Sequence, residues 1–175
     1  YVVHEDHSAI LIDCGAYTQS ECDAIRKYLK DNNLQPVAHL LTHAHLDHAF
    51  GAQFLYCEYQ LLPMMHSADV SLFLQLKEQS ELFGIPLPSV PLEQYLQLPK
   101  EGKCTSGAFE ITAIHTPGHT PGGVCYLIQA GDEKPVLFSG DTLFAGSIGR
   151  TDLPGGDYAT IVQSLRELEQ NLSAR

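Results

Sequence analysis

Basic residues and long apolar runs are both scarce in this 175-residue sequence. Ten Lys and Arg stand against 21 Asp and Glu, which leaves a formal net charge of −11 when the histidines are neutral. A nucleic-acid-binding protein needs a stripe of Lys or Arg to displace counterions from phosphates, so the charge balance argues against that class. No apolar run approaches the ~20 residues that span a bilayer, so we expect no membrane attachment.

Closely spaced cysteines are missing as well. The five cysteines are odd in number and widely separated, and no Cys-x-x-Cys pair occurs. The spacing therefore predicts neither a disulfide framework nor a thiolate zinc site. We expect free thiols, a reducing compartment and a cytoplasmic location.

The rest of the composition is that of a folded protein. A hydrophobic content of 44% with 18% charged residues excludes a disordered chain, and the length predicts a single domain over residues 1–175. Strands are predicted at 2–4, 9–12, 37–42, 61–65, 109–114, 123–128 and 136–138, and helices at 19–31, 49–58, 67–83 and after Asp157. This pattern favours a mixed α/β domain or a helix–sheet–sheet–helix sandwich, and periodicity alone does not choose between them.

Histidine is concentrated in one short segment. Directly after the predicted strand 37–42, four potential metal ligands occupy six positions: His43, His45, Asp47 and His48. Side chains two apart in an extended chain point to the same side, so His43 and His45 can converge on one ion. Imidazole and carboxylate together suit zinc, iron or manganese, and the segment therefore predicts a metal site.

Two further polar residues follow predicted strands in the same way. His119 lies in a Pro- and Gly-rich loop after strand 109–114, and Asp141 comes shortly after strand 136–138. Either residue alone would be typical of an ordinary turn. Because strand ends from several elements can face one point, the two residues together with the histidine segment predict one shared site.

With these motifs the chain resembles the metallo-β-lactamase-fold superfamily of metal-dependent hydrolases, and the resemblance spans nearly the whole sequence. The matching segments are 11–15 with Asp13, 42–48, 116–122 and 139–144. The segment 144–152 is similar to the single-domain glyoxalase II-like hydrolases and to their relatives, the persulfide dioxygenases. Lactam-degrading enzymes with a cysteine ligand match less well, because Asp141 stands where that cysteine would be.

The resemblance implies a four-layer αββα sandwich that holds two divalent ions, with zinc expected first and iron or manganese as alternatives. The implied ligands are His43, His45 and His119 for the first ion, Asp47 and His48 for the second, and Asp141 as a bridge between them. It also implies that the first strand and a final histidine-bearing segment lie outside the given chain. We therefore expect the domain to be truncated at both ends.

The same resemblance implies roles for residues around the metals. Asp47 would also act catalytically, by orienting the attacking hydroxide and taking its proton. Asp13 would brace the segment 43–48 through hydrogen bonds, although a plain strand-ending turn is the alternative. Arg150 is the basic residue close in sequence to a ligand and the candidate for substrate contact, with a bracing ion pair to Asp152 as the alternative.

The implied activity is hydrolysis of a small-molecule thioester such as S-lactoylglutathione by a hydroxide bridging two metal ions. We expect residues 1–175 to lack the extra helical domain that binds glutathione in larger glyoxalase II enzymes, and no Gly-x-Ser-x-Gly elbow occurs in them. One alternative is a persulfide dioxygenase with a single iron at His43, His119 and Asp141. The other is a non-catalytic, metal-stabilised member of the fold.

Overall fold

Two β-sheets packed face to face form the centre of the molecule. The computed structural model describes residues 1–88 and 90–173. The strands are β1 (Val2–Glu5), β2 (Ser8–Ile12), β3 (Gln35–Leu40), β4 (Pro63–Met65), β5 (Leu96–Gln97), β6 (Lys103–Ser106), β7 (Phe109–His115), β8 (Val124–Ala130), β9 (Val136–Phe138), β10 (Leu143–Phe144) and β11 (Ser147–Ile148). The helices are α1 (Gln19–Asp31), α2 (Leu46–Ala49), α3 (Ala52–Tyr59), α4 (Val70–Leu74), α5 (Leu76–Phe83) and α6 (Tyr158–Ser173).

The two sheets differ in strand direction. The first has the order β1-β2-β3-β4-β5, and only the β1–β2 hairpin in it is antiparallel. The second has the order β6-β7-β8-β9 and is antiparallel throughout. Strands β10 and β11 form a small separate hairpin.

Alternate residues of the strands fill the space between the sheets. The first sheet contributes Ile10, Ile12 and Leu40, which pack on buried residues of the second sheet such as Phe109 and Tyr126. The Tyr126 hydroxyl donates to the Leu41 carbonyl oxygen at 2.9 Å, so the one polar atom of this large side chain is satisfied. Two sheets whose inward-facing side chains share one core form a β-sandwich.

Helices cover the outer sides of this sandwich. Helices α1 and α3 pack on the first sheet, in a cluster that includes Leu11, Ile25 and Leu55. Helix α6 packs on the loop between β7 and β8, where the Ser164 hydroxyl donates to the Pro117 carbonyl oxygen at 2.7 Å. The predicted mixed α/β fold is confirmed.

The N-terminal helix forms as its sequence predicts. Thr18 is the N-cap of α1, and its hydroxyl accepts from the Glu21 N–H while the Glu21 carboxylate accepts from the Thr18 N–H. This reciprocal capping box satisfies two backbone donors that the helix cannot satisfy internally. The predicted range 19–31 is confirmed.

Two other helix predictions differ from the structure. The predicted helix 49–58 is α3, which begins at Ala52, and the separate short helix α2 ends at Ala49. Between them Gly51 approaches Cys14, and its N–H donates to the Cys14 carbonyl oxygen at 2.8 Å. The range 67–83 is a 3₁₀ turn followed by α4 and α5, which meet at Gln75. There the Leu72 carbonyl oxygen accepts from the Gln79 side chain at 2.8 Å, a contact that a straight helix would not allow.

None of the helices in the described residues combines the length and the apolar character needed to cross a membrane.

Candidate metal centre

Five of the six predicted ligands meet at one end of the sandwich. They fall into two groups that share one histidine, and within each group the donor atoms lie within 4.8 Å of one another. The first group is His43, His45 and His119, and the second is His43, His48 and Asp141. His43 and His45 follow β3, His48 lies on α2, His119 lies between β7 and β8, and Asp141 lies between β9 and β10.

The aspartate reaches both groups. Asp141 Oδ1 lies 3.4 Å from His48 Nε2, and Asp141 Oδ2 lies 3.7 Å from His119 Nε2. Hydrogen bonding to His48 lowers the pKa of Asp141 despite its partial burial. The ionised carboxylate therefore lies between the two groups of imidazoles.

Hydrogen bonds determine which imidazole nitrogens face the centre. Thr42 Oγ1 donates to Asp13 Oδ2 at 2.7 Å and lies 3.1 Å from His43 Nδ1, from which it can accept. His119 Nδ1 donates to the Arg150 carbonyl oxygen at 2.7 Å. Both rings therefore carry their proton on Nδ1 and direct the Nε2 lone pair inward.

These inward nitrogens fit a metal ion. His43 Nε2 and His119 Nε2 lie 3.2 Å apart, and both residues are buried. Burial and the neighbouring histidines hold the pKa of His43 well below its usual range, and burial lowers the pKa of His45 to about 4. Neutral imidazoles with converging lone pairs repel each other unless a cation lies between them, and neutral imidazole is the form that binds metal.

Asp13 makes the bracing contacts that the resemblance implies. Its carboxylate accepts from the Thr42 N–H and the Thr42 hydroxyl, both at 2.7 Å, and lies 3.0 Å from His48 Nδ1. Burial by itself would lower the pKa of His48, but the carboxylates of Asp13, Asp141 and Asp47 outweigh it and raise the pKa to about 10, so a metal ion bound at His48 would have to displace this proton. One side chain thus contacts the residue before His43 and the last histidine of the segment.

Two predicted residues lie at the edge of this centre. The Asp47 side chain is 70% exposed, and its carboxylate comes within 3.8 Å of His48 Nε2 without joining either group. The Arg150 guanidinium forms two 2.7 Å contacts with the Asp152 carboxylate, and both side chains are exposed. Arg150 contacts the centre through its carbonyl oxygen on His119 and not through its charge.

Sequence reasoning missed a buried carboxylate that joins two of the ligand loops. Asp69 is fully buried and accepts from the Ala44 N–H at 3.0 Å, the Thr120 hydroxyl at 2.9 Å and the Gly122 N–H at 2.5 Å. Burial raises the pKa of this carboxyl, against the effect of its three hydrogen bonds. In the sequence, an aspartate before an apolar helix looks like an ordinary N-cap, so no local signal distinguishes it.

Gln79 is a second residue that was missed. Its Oε1 accepts from the Leu46 N–H at 3.1 Å, and its Nε2 donates to the Ala44 carbonyl oxygen at 3.1 Å. Both contacts fall inside the segment 43–48. The signal was available, because a glutamine three residues after Leu76 lies on the apolar face of its helix, where a polar side chain needs a buried partner.

A cavity of about 580 Å³ opens on the side of the second group. Asp47, His48 and Asp141 line this cavity together with apolar side chains that include Phe138 and Leu143. The candidate ligands are thus accessible to a small molecule from this side.

Known proteins are similar to this chain in sequence and in fold. The model of the metallo-beta-lactamase superfamily matches residues 1–173. Hydroxyacylglutathione hydrolase GloC of Haemophilus influenzae is 35% identical over 169 residues, which cover 93% of this chain and 74% of that protein.

Two solved structures are similar at comparable identity. The crystal structure of the B3 metallo-beta-lactamase BLEG-1 has a TM-score of 0.80 and 36% identity, covering 94% of this chain and 77% of the other. The structure of TTHA1623 in a di-iron-bound form has a TM-score of 0.75 and 34% identity, covering 96% of this chain and 79% of the other. The match of the family model over nearly the whole length, together with these relatives, shows that the chain belongs to the metallo-beta-lactamase superfamily.

Proposed function

We propose that the protein is a metal-dependent hydrolase that cleaves thioesters, with S-lactoylglutathione as the first substrate to test. The observation that carries the proposal is the pair of donor groups that share His43 and are joined by Asp141. Two adjoining sets of nitrogen and oxygen donors suit two divalent cations held side by side. The relative named hydroxyacylglutathione hydrolase supports the substrate class.

The residues divide into roles as the resemblance implies. His43, His45 and His119 would hold one ion, His48 and Asp47 the other, and Asp141 both. Zinc suits these nitrogen and oxygen donors, and the di-iron form of a similar structure supports iron as the alternative. Two bound divalent ions would supply Lewis acidity and lower the pKa of water into the neutral range.

The surrounding side chains have their own parts in the reaction. Thr42 and Asp13 keep the His43 proton on Nδ1, and the Arg150 carbonyl does the same for His119. The exposed Asp47 carboxylate can accept a proton from the attacking water at Oδ2. A thioester suits this site because a thiolate leaves without strong acid assistance. Arg150 is the candidate contact for a substrate carboxylate. Its ion pair with Asp152 would have to break before the guanidinium could bind that carboxylate.

The test is thioester cleavage by the metal-loaded protein. We expect release of free thiol from S-lactoylglutathione, and a loss in His45→Ala larger than the ~10–100-fold typical of residues that only surround a metal. His4→Ala, at an exposed histidine outside the centre, is the matched control and should retain the rate.

Two results would contradict the assignment of the protein as a thioester hydrolase. Oxygen uptake with glutathione persulfide, at one iron per chain, would assign the protein to the persulfide dioxygenases. A rate no higher than that of His45→Ala, with every thioester tried and with two metal ions bound, would refute the proposal and leave a metal-stabilised member of the fold.

A further inference from the structure

A second and smaller cavity adjoins the candidate centre at His45. Its volume is about 150 Å³, and His45 forms part of its wall. The rest of the wall comes from α4, α5 and the loop before α6, with the apolar residues Leu72, Leu82, Phe83, Leu153 and Pro154. The exposed fractions of Leu82 and Phe83 are 67% and 42%, so two large apolar side chains face solvent at this edge of the site.

The polar residues of this wall leave little for a polar ligand to bind. Gln79 already donates twice through Nε2 and accepts once through Oε1. Among the residues that the structure describes, Glu78 is the one charged residue of the lining, and none of the lining residues is Lys or Arg. An anionic group there would meet a carboxylate and no cation, whereas an apolar group would cover leucine and phenylalanine side chains.

The two cavities differ in volume and therefore in the size of the chemical group that each can bind. A protein cavity of about 150 Å³ is large enough for benzene, which corresponds to a group of about six carbon atoms. The cavity beside His48 and Asp141 is about 580 Å³, which suits a peptide-like thiol better. A thioester whose carbonyl lies at the centre would then extend its thiol part into the larger space and its acyl part past His45.

From this geometry we propose that the small cavity binds the acyl group of the substrate, and that this group is uncharged, apolar and about six carbon atoms long. The proposal rests on the thioester hydrolase function above and specifies its substrate class. It predicts that lactoyl, which is short and carries a hydroxyl, is a poorer acyl group than hexanoyl or phenylacetyl.

The experiment is a chain-length series in which only the acyl group changes. Glutathione thioesters of acetyl, butanoyl, hexanoyl and decanoyl are hydrolysed by the metal-loaded protein, with lactoyl for comparison. We expect kcat/KM to rise about fourfold for each methylene up to hexanoyl, the value for burying one methylene, and to stop rising by decanoyl. A profile that is flat from acetyl to hexanoyl would overturn the proposal and leave the hydrolase function intact.

A pair of variants assigns the effect to this cavity. Leu82→Glu adds a charge at its rim and should lower the ratio of hexanoyl to acetyl kcat/KM at least about fivefold, a little more than the roughly fourfold effect of one buried methylene. Leu74→Glu makes the same change at an exposed leucine of α4 that does not line the cavity, and it should leave the ratio unchanged. Equal ratios in the two variants would show that the acyl group binds elsewhere.

A binding measurement keeps the test independent of hydrolysis. Hexanamide added to the metal-free protein should shift the methyl NMR signals of Leu82 and Leu153 but not those of Leu74, and acetamide should shift none of them. If no thioester is cleaved while hexanamide binds in this way, the proposed activity fails and the apolar site stands. If hexanamide leaves the Leu82 and Leu153 signals unmoved, the apolar site fails whatever the activity.

Discussion

The backbone of Asp13 is held in a left-handed conformation, with φ of +50°. A non-glycine residue in this region costs of order 1–3 kcal/mol, and aspartate is among the residues that tolerate it best. Its N–H donates to the Leu40 carbonyl oxygen at 2.9 Å, which keeps the residue beside the end of β3. In that position one carboxylate oxygen accepts from the Thr42 N–H, and the other contacts the Thr42 hydroxyl and His48.

Replacing Asp13 by asparagine tests whether this carboxylate supports metal binding. Asparagine has the same size as aspartate and also tolerates a left-handed backbone conformation, but it lacks one acceptor oxygen and the negative charge beside His48. We expect affinity for zinc to fall about 10–100-fold, measured by competition with a chromophoric chelator. Asp6→Asn is the matched control, since Asp6 is an exposed aspartate with φ of +49° in the β1–β2 turn. Equal affinities of the two variants would make Asp13 a turn residue only.

His39 is a histidine of a different kind. It is fully buried in β3, and neither ring nitrogen has a hydrogen-bond partner among the described residues. Burial lowers the pKa of His39 to about 4, so the folded protein keeps this ring neutral in mildly acidic solution. In the unfolded chain His39 takes up a proton once the pH falls below its ordinary pKa of about 6.5, whereas in the folded protein it stays neutral until the pH approaches 4.

Stability should therefore decrease as pH falls from about 6.5 towards 4. One pKa unit corresponds to about 1.4 kcal/mol, so His39 should account for about 2 kcal/mol of the loss between pH 7.5 and pH 5. Urea unfolding at the two pH values should show a loss smaller by that amount in His39→Leu. His4→Leu, at an exposed position, should lose as much as the unchanged protein. An identical pH dependence with and without His39 would contradict the expectation.

At the scale of elements, the break between α4 and α5 gives the ligand loops their support. The turn at Gln75 reorients α5 relative to α4, and Gln79 on α5 then reaches the backbone around Ala44. Asp69, just before α4, contacts the same alanine and also the loop that carries His119. A helix unbroken over 67–83 would not direct both side chains to the same loop.

Removing the Asp69 carboxylate should destabilise the fold strongly. Asp69→Ala leaves a hydroxyl and two N–H donors buried without their acceptor, and each unsatisfied group costs about 1–3 kcal/mol. We expect the free energy of unfolding to fall by about 3 kcal/mol or more in urea titrations of the metal-free protein. Asp31→Ala, which removes an exposed ion pair with Lys27, should cost less than about 1 kcal/mol. A similar small cost for both variants would show that Asp69 does not join the loops.

At the scale of the molecule, the candidate centre depends on both sheets. His43 and His45 come from the first sheet and His119 from the second, and the sandwich core between the sheets sets the distance between them. The unfolded chain does not hold these side chains together, so an ion bound by them binds the folded state.

Metal binding should therefore raise the melting temperature. A free ion concentration 100 times the dissociation constant adds about 2.7 kcal/mol, or about 5–10 °C for a domain of this size. Calorimetry with zinc and with a chelator should show this difference, and His119→Ala should abolish most of it. His7→Ala, at an exposed histidine of the β1–β2 turn, should keep it. A zinc effect that survives loss of His119 would place the binding elsewhere.

Short-range patterns in the chain were enough to predict the helix that follows Thr18, most of the strands and the kinds of metal-ligating side chain in the segment 43–48. A capping box, strand alternation and ligand spacing involve neighbours a few residues apart, so one linear sequence contains them in full. Which donors meet was decided by packing, because His43 and His119 are 76 positions apart and come together only when the sheets stack. Packing also decided the break at Gln75 and the burial of Asp69, since each depends on contacts with segments that local patterns do not include.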